Sequence, residues 1–209
     1  MTFTGFTKQD FDVFNVPGLE QRMEALIANV RPKLEILGTE IAPFLSAICG
    51  EEIFPHVAKH ARRKVNPPKD TWVAWSANKR GYKALPHFQV GMFESHLFII
   101  FAVVYDCTNK LQFAKQLQAH TNSINKLVPD QFYWSMDHMD PSGTLHSEVT
   151  KSDLEAMAKK LATVKKAEIL CGLRIDNHDS ILQNREELLP LIQSTFEQLL
   201  PLYKLSFKN

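Results

Sequence analysis

His56 to Val104 reads HVAKHARRKVNPPKDTWVAWSANKRGYKALPHFQVGMFESHLFIIFAVV, and this stretch sets the fold class. Asn66-Pro67-Pro68-Lys69-Asp70 cannot continue a helix, because neither proline offers an N–H and each restricts the residue before it. After that break the sequence turns aromatic and β-branched. Thr71 to Ser76 is a predicted strand, and Asn78-Lys79-Arg80-Gly81 connects it to a second over His87 to Met92, an antiparallel pairing. Leu97 to Val104 is apolar on both faces, as expected of a strand at the middle of a sheet.

Upstream of this stretch the pattern is helical. Leu19, Met23, Leu26, Val30, Leu34, Leu37 and Ile41 recur at three- and four-residue steps, the period of one buried stripe. Pro32 and Pro43, with Gly38-Thr39 as a stop and fresh N-cap, predict two helices nearly in line. Glu51 and Glu52 ahead of Phe54-Pro55, then Val57, Ala58 and Ala61, predict a further helix running to Arg62 and Arg63. Thr7 and Asp10 suit the cap of a short helix near the start.

Downstream, an amphipathic pattern covers 109–125. A hairpin is expected over 132–137 and 145–149, turning at Asp140-Pro141-Ser142-Gly143. Ser152-x-x-Glu155 reads as a capping box for a helix over 154–164, a sixth strand covers 168–175, and a last helix runs from 184 to 200, bent by Pro190 and ended by Pro201. The whole is an α+β domain spanning 1–209. It is mainly helical to residue 65, and from residue 71 it is a mainly antiparallel sheet of about six strands with helices on its apolar face.

Composition narrows the function. Over the 209 residues, 24 basic and 23 acidic side chains nearly cancel, which argues against a general polyanion binder. Charge is instead local: between His56 and Lys83, eight basic residues stand against Asp70 alone, leaving the remainder net acidic by six. Such a cluster, with Arg62, Arg63 and Arg80 in it and the rings of Trp72, Trp75 and Tyr82 beside it, suits a phosphate, a carboxylate or a stacked base. A solvated edge that blocks strand pairing is the commoner explanation of such a cluster. Cys49, Cys107 and Cys171 are scattered and form no C-x-x-C pair, in keeping with reduced thiols in the cytosol. The first residues show no charged and then apolar leader pattern, and the run Leu97 to Tyr105 is about half a membrane span, so no membrane association is expected.

Alternation at period two points to a site. On one strand His87, Gln89 and Gly91 face away from Phe88, Val90 and Met92. On another Tyr133, Ser135 and Asp137 face away from Trp134 and Met136, and on a third Gly172, Arg174 and Asp176 face away from Cys171 and Leu173. These polar sets either form one shared face with room at Gly91 and Gly172 for a ligand or another backbone, or show a wet sheet face to water. His56 and His60 stand four apart, but Val57 occupies the place where a metalloprotease helix needs Glu, so they read as surface histidines and no metal site is assigned. His178, between Asp176 and Asp179, suits a turn held by Asx-type bonds. No Gly-rich phosphate loop, dinucleotide fingerprint or nucleophile elbow occurs, so no cofactor and no catalytic residue are named.

At Phe3-Thr4-Gly5-Phe6, Val30-Arg31-Pro32-Lys33-Leu34, His56-Val57-Ala58-Lys59-His60-Ala61-Arg62-Arg63, Val65-Asn66-Pro67-Pro68, Asp70-Thr71-Trp72-Val73-Ala74-Trp75 and Lys79-Arg80-Gly81-Tyr82-Lys83, the chain resembles the YktB-like family of uncharacterised cytosolic proteins from low-GC Gram-positive bacteria. The resemblance covers essentially the whole chain. It implies an antiparallel sheet with helices, similar in topology to the catalytic domains of class II aminoacyl-tRNA synthetases and biotin ligases. It also makes an adenylate or another phosphorylated small molecule a first ligand class.

The expected function is therefore a cytosolic protein that binds an anionic small molecule on a polar sheet face beside the basic segment. Arg62, Arg63, Trp75, Arg80, His87, Gln89, Tyr133, Asp137, Arg174 and Asp176 are the candidate ligand-binding residues. Phosphoryl or adenylyl chemistry in the same pocket is one alternative, and presentation of the basic edge to nucleic acid or an acidic partner is another.

Overall fold

The computed structural model describes residues 2–208. Its centre is a seven-stranded sheet built from β1 (Phe54–Val57), β2 (Asp70–Ser76), β3 (His87–Phe93), β4 (His96–Val103), β5 (Tyr133–Ser135), β6 (Thr144–Leu145) and β7 (Ile169–Asp176). The order is β1-β2-β3-β4-β7-β5-β6, with every neighbouring pair antiparallel. The α+β class and the antiparallel sheet are as the sequence implied, with one strand more than the six expected. β4 is the middle strand, and all eight of its residues are buried.

Seven α-helices accompany the sheet among the described residues: α1 (Lys8–Asp12), α2 (Leu19–Ala25), α3 (Arg31–Cys49), α4 (Lys110–Ala119), α5 (Thr121–Leu127), α6 (Lys151–Thr163) and α7 (Arg185–Leu205). α3 lies against β1 and β2, α7 against β4 and β7, and α4 packs on α6. Beneath them one continuous apolar core takes Val73, Trp75, Phe88, Val90, Ile99, Phe101 and Cys171 from the sheet, with Leu34, Leu37 and Phe196 from the helices. Of these, Phe88, Val90 and Cys171 belong to the apolar half of the predicted alternations. No described helix is long and apolar enough to cross a membrane.

Several local expectations differ. The break in the first long helix falls earlier than Gly38: α2 runs into a π-helical turn, Leu26–Val30, before α3. Pro32 explains it, since its ring displaces the carbonyl a turn earlier and the chain widens by one residue just before it. Gly38 is buried inside α3, where an added Cβ would meet Pro55 and Val73 at 3.0 and 3.1 Å, so glycine there serves close packing on β1 and β2. Gly50, at φ 79°, caps α3 in the left-handed conformation, which glycine adopts without steric cost.

The helix expected over residues 51–63 is instead β1 and a loop. Pro55 pairs with Trp75 on an edge strand, where a missing N–H is tolerated, and His60 at φ 51° turns the chain out of any helical path. The 109–125 helix divides at His120 into α4 and α5. The cap of α6 is Thr150 with Asp153 rather than Ser152 with Glu155, and α7 continues past Pro201 to Leu205. The Thr7–Asp10 cap and the hairpin of β5 and β6 stand where the sequence placed them, the hairpin shorter than expected.

Candidate functional site

The second face of the sheet carries the polar half of the alternation, and the strand registers align it in rows. His87, Ala102, Leu170 and Ser135 form one row. Ala74, Gln89, Ile100, Gly172 and Tyr133 form the next, and Trp72, Gly91, Phe98 and Arg174 the third. Asp70, Phe93, His96 and Asp176 close the face at the far end. His87, Gln89 and Gly91 thus share a face with Gly172 and Arg174.

This face is neither a wet surface nor an open floor. Phe93, Phe98, Ile100, Ala102, Tyr133 and Leu170 form a small second core there, with Trp72 packed against it. Three loops close over it. From the segment after β1, the His60 ring stands edge-on to Trp72, 5.5 Å between centroids. From the β2–β3 connection, Tyr82 covers His87 at 4.9 Å and accepts a hydrogen bond from the Trp72 indole at 3.2 Å. From the β5–β6 turn, His138 donates to Glu168 at 2.6 Å, and Gly143 lies so close to Arg174 and Tyr133 that a Cβ there would stand 2.7 Å from each. The space expected at Gly91 and Gly172 is already filled: a Cβ would collide with the Phe98 ring at the first and with the Ile99 carbonyl at the second, so at Gly172 it is another backbone that approaches.

Among the cavities at this face, two share Trp72 as a wall. The inner one, lined among others by Asp70, Gln89, Tyr133, Asp137, His138 and Arg174, has a volume of only about 20 Å³, room for little more than one water. It is narrow and chemically loaded. Asp70 is 2% exposed, and its Oδ1 is sealed from solvent with no hydrogen-bond partner among the described residues. Burial raises its pKa to about 6, against the opposing charges of His138 and Arg63. Burial also disfavours protonation of His138, but the hydrogen bond and charge of Glu168, with the charge of Asp70, outweigh it and raise the His138 pKa. Arg174 lies 3.6 Å over the Tyr133 ring, a cation–π contact, while its Nε has no partner. His96 Nε2, on the neighbouring row, is likewise buried without a partner.

The outer cavity is a groove of about 410 Å³ between the segment after β1 and the β2–β3 connection. Lys59 and Arg62 line one side, Arg80 and Lys83 the other, with Trp72 and Tyr82 also in its wall. No carboxylate lines it, and among the described residues these four cations form no ion pair. His56 and His60 also line it, but off any helix. His56 Nε2 lies 2.9 Å from the Asn78 carbonyl and His60 Nε2 lies 3.3 Å from the Thr71 hydroxyl, and burial lowers both pKa values, that of His60 to about 4.

The ten candidate residues therefore separate. Gln89, Tyr133, Asp137 and Arg174 meet at the inner cavity, and Arg62 and Arg80 at the groove. Arg63 lies close enough to act on the charge of Asp70 and His60. His87 lines neither cavity and is 0% exposed: Nδ1 donates to the Leu85 carbonyl at 2.8 Å, Nε2 accepts from Gln89 at 2.8 Å, and burial lowers its pKa to about 4. Asp176 is at the exposed far end, capping the His178 turn with an Asx-type bond. Trp75 is a correction. It belongs to the helix face, 0% exposed, its indole donating to Gly38 at 2.9 Å, because the parity of β2 places Trp72 and not Trp75 with Gln89 and Arg174.

Asp70, His138, Glu168 and Tyr82 were not among the candidates. Asp70 had a legible signal, since it shares strand parity with Trp72. The His138–Glu168 pair spans 30 residues and has none.

A family model described as "Domain of unknown function (DUF1054)" matches residues 6–203, and the chain belongs to that family. It is 50% identical over 205 residues, 98% of this chain, to UPF0637 proteins of Bacillus cereus strain B4264, Bacillus mycoides strain KBAB4 and Bacillus thuringiensis strain Al Hakam, covering 99% of each. An uncharacterised family of low-GC Gram-positive bacteria is what the resemblance implied.

Proposed function

We propose that this chain is a cytosolic binding protein whose basic groove holds an anionic small molecule, a phosphorylated one above all. The observation that carries the reading is the convergence of Lys59, Arg62, Arg80 and Lys83 on a groove of about 410 Å³ that contains no carboxylate and no ion pair to neutralise them. Four unpaired cations around one concavity raise the local concentration of anions, and a groove of this volume is in the range of small-molecule sites. Trp72 and Tyr82 add aromatic surface on which a ring attached to the phosphate stacks. This reading moves the ligand from the open polar sheet face to the groove beside it, since loops already cover that face.

Differential scanning calorimetry with inorganic phosphate, sugar phosphates and nucleoside mono- and diphosphates tests it. A true ligand raises the melting temperature saturably, by about 2.7 kcal/mol of stabilisation at a hundredfold excess over Kd, and the effect disappears in an Arg80→Glu, Lys83→Glu double variant. Absence of any response, or a response confined to single-stranded oligonucleotides that falls steeply with salt, overturns it.

A further inference from the structure

The groove and the inner cavity share one wall, Trp72, and their chemistry is opposite. The groove offers only cations. Behind Trp72 stands Asp70, a carboxylate 2% exposed, lining the inner cavity with one oxygen that no described group satisfies. A buried acceptor of this kind costs free energy unless something donates to it. The protein's own cations do not fill that need: Arg63 and His138 influence Asp70 through charge alone, His138 being committed to Glu168, and Arg174 is stacked over Tyr133.

Resting on the groove reading, we propose that the two cavities are halves of one site for an amphoteric ligand, a phosphorylated primary amine, with its phosphate among Lys59, Arg62, Arg80 and Lys83 and its ammonium group donating to Asp70. The inner cavity as it stands admits little more than one water, so the ammonium reaches Asp70 only as Trp72, the wall that the two cavities share, gives way. The ammonium supplies the donor that Asp70 Oδ1 lacks and the positive charge that a buried carboxylate requires. An anionic ligand without an amine leaves Asp70 as it stands.

The experiment compares ω-aminoalkyl phosphates of two to six carbons with plain n-alkyl phosphates of equal length, by titration calorimetry at pH 7.5. At the chain length that spans the two cavities, the amine-bearing member is expected to bind at least tenfold more tightly. Asp70→Asn, which keeps the shape of the side chain, abolishes that advantage and leaves alkyl phosphate affinity unchanged, whereas Arg80→Glu with Lys83→Glu removes both. In the unmodified protein the advantage shrinks as pH falls from 7.5 to 5 and the Asp70 carboxyl takes up a proton, with Arg63 and His138 as the charged groups facing it. The ammonium group lowers the second ionisation of the phosphate in the shorter members, so each affinity is corrected with that ligand's own measured phosphate pKa before the ratio is taken. Equal affinity at every length, or an advantage that survives Asp70→Asn, overturns the proposal while the groove stands. If neither series binds, the groove reading falls and the proposal with it.

Discussion

The two faces of the sheet are made from the same strands and solve opposite problems. The helix face is closed by α3, α4, α6 and α7 with apolar side chains, and both of its buried indole donors have acceptors, Trp75 in the Gly38 carbonyl and Trp134 in His146 Nδ1. The loop face is as deeply buried, yet it holds three of the four buried polar side-chain atoms left without a partner among the described residues: Asp70 Oδ1, His96 Nε2 and Arg174 Nε. Stability resides on the first face. The second keeps buried polar groups whose partners the chain does not supply, as expected where a fold retains a site.

The largest effect that sharpens this contrast is Trp75→Ala. It empties a fully buried indole volume and removes the indole hydrogen bond to the Gly38 carbonyl, and it is expected to cost about 3–5 kcal/mol in urea unfolding. A cost below 1 kcal/mol would place the core elsewhere.

On the loop face the expected sign reverses. The folded pKa of Asp70 is about 6, against the ordinary carboxyl value of 3.8, so the folded state holds its proton more tightly than the unfolded chain does. Its contribution to stability falls as pH rises from about 4 to 6, and above that the buried carboxylate costs on the order of 2–3 kcal/mol. His60, His87 and His96, each lowered by burial to about 4 from 6.5, act the other way: their contribution is present above pH 6.5 and is lost as pH falls toward 4. Asp70→Asn should therefore stabilise the protein at pH 7.5 by that order and make its loss of stability between pH 6.5 and 4 steeper. A destabilised variant at pH 7.5 would mean that the carboxylate is satisfied after all.

Arg174→Ala is the smallest of the three. It removes one cation–π contact over Tyr133 together with a buried Nε that has no partner, and the two changes oppose each other, so about 1 kcal/mol or less is expected in the same urea assay. A loss comparable with that of Trp75→Ala would erase the distinction between the faces.

The strands were legible wherever both faces of a strand obey their own rule, as in β3 and β7, because period-two alternation is a local property. β1 was not legible. Its Glu-Glu, Pro and Ala-rich continuation imitates a helix start, and only the free edge of β2 makes Phe54–Val57 extended. Gly38 failed for the same reason: a glycine stop and a glycine pressed against Pro55 and Val73 are identical in sequence. The candidate site was half legible. Parity brought Gln89, Tyr133 and Arg174 together, but Asp70 was absorbed into the Asn-Pro-Pro linker, and the pairing of His138 with Glu168 depends on a fold that carries the β5–β6 turn onto the start of β7.

The position of Trp72 gives the molecule an optical gauge. Trp75 and Trp134, the other two of its three tryptophans, are sealed in the apolar core, where a solute in the groove does not touch them. Trp72 is half-buried, shared by both cavities and hydrogen-bonded to Tyr82. A change in indole emission on filling either cavity thus reports on one side chain, against a background that the other two hold constant.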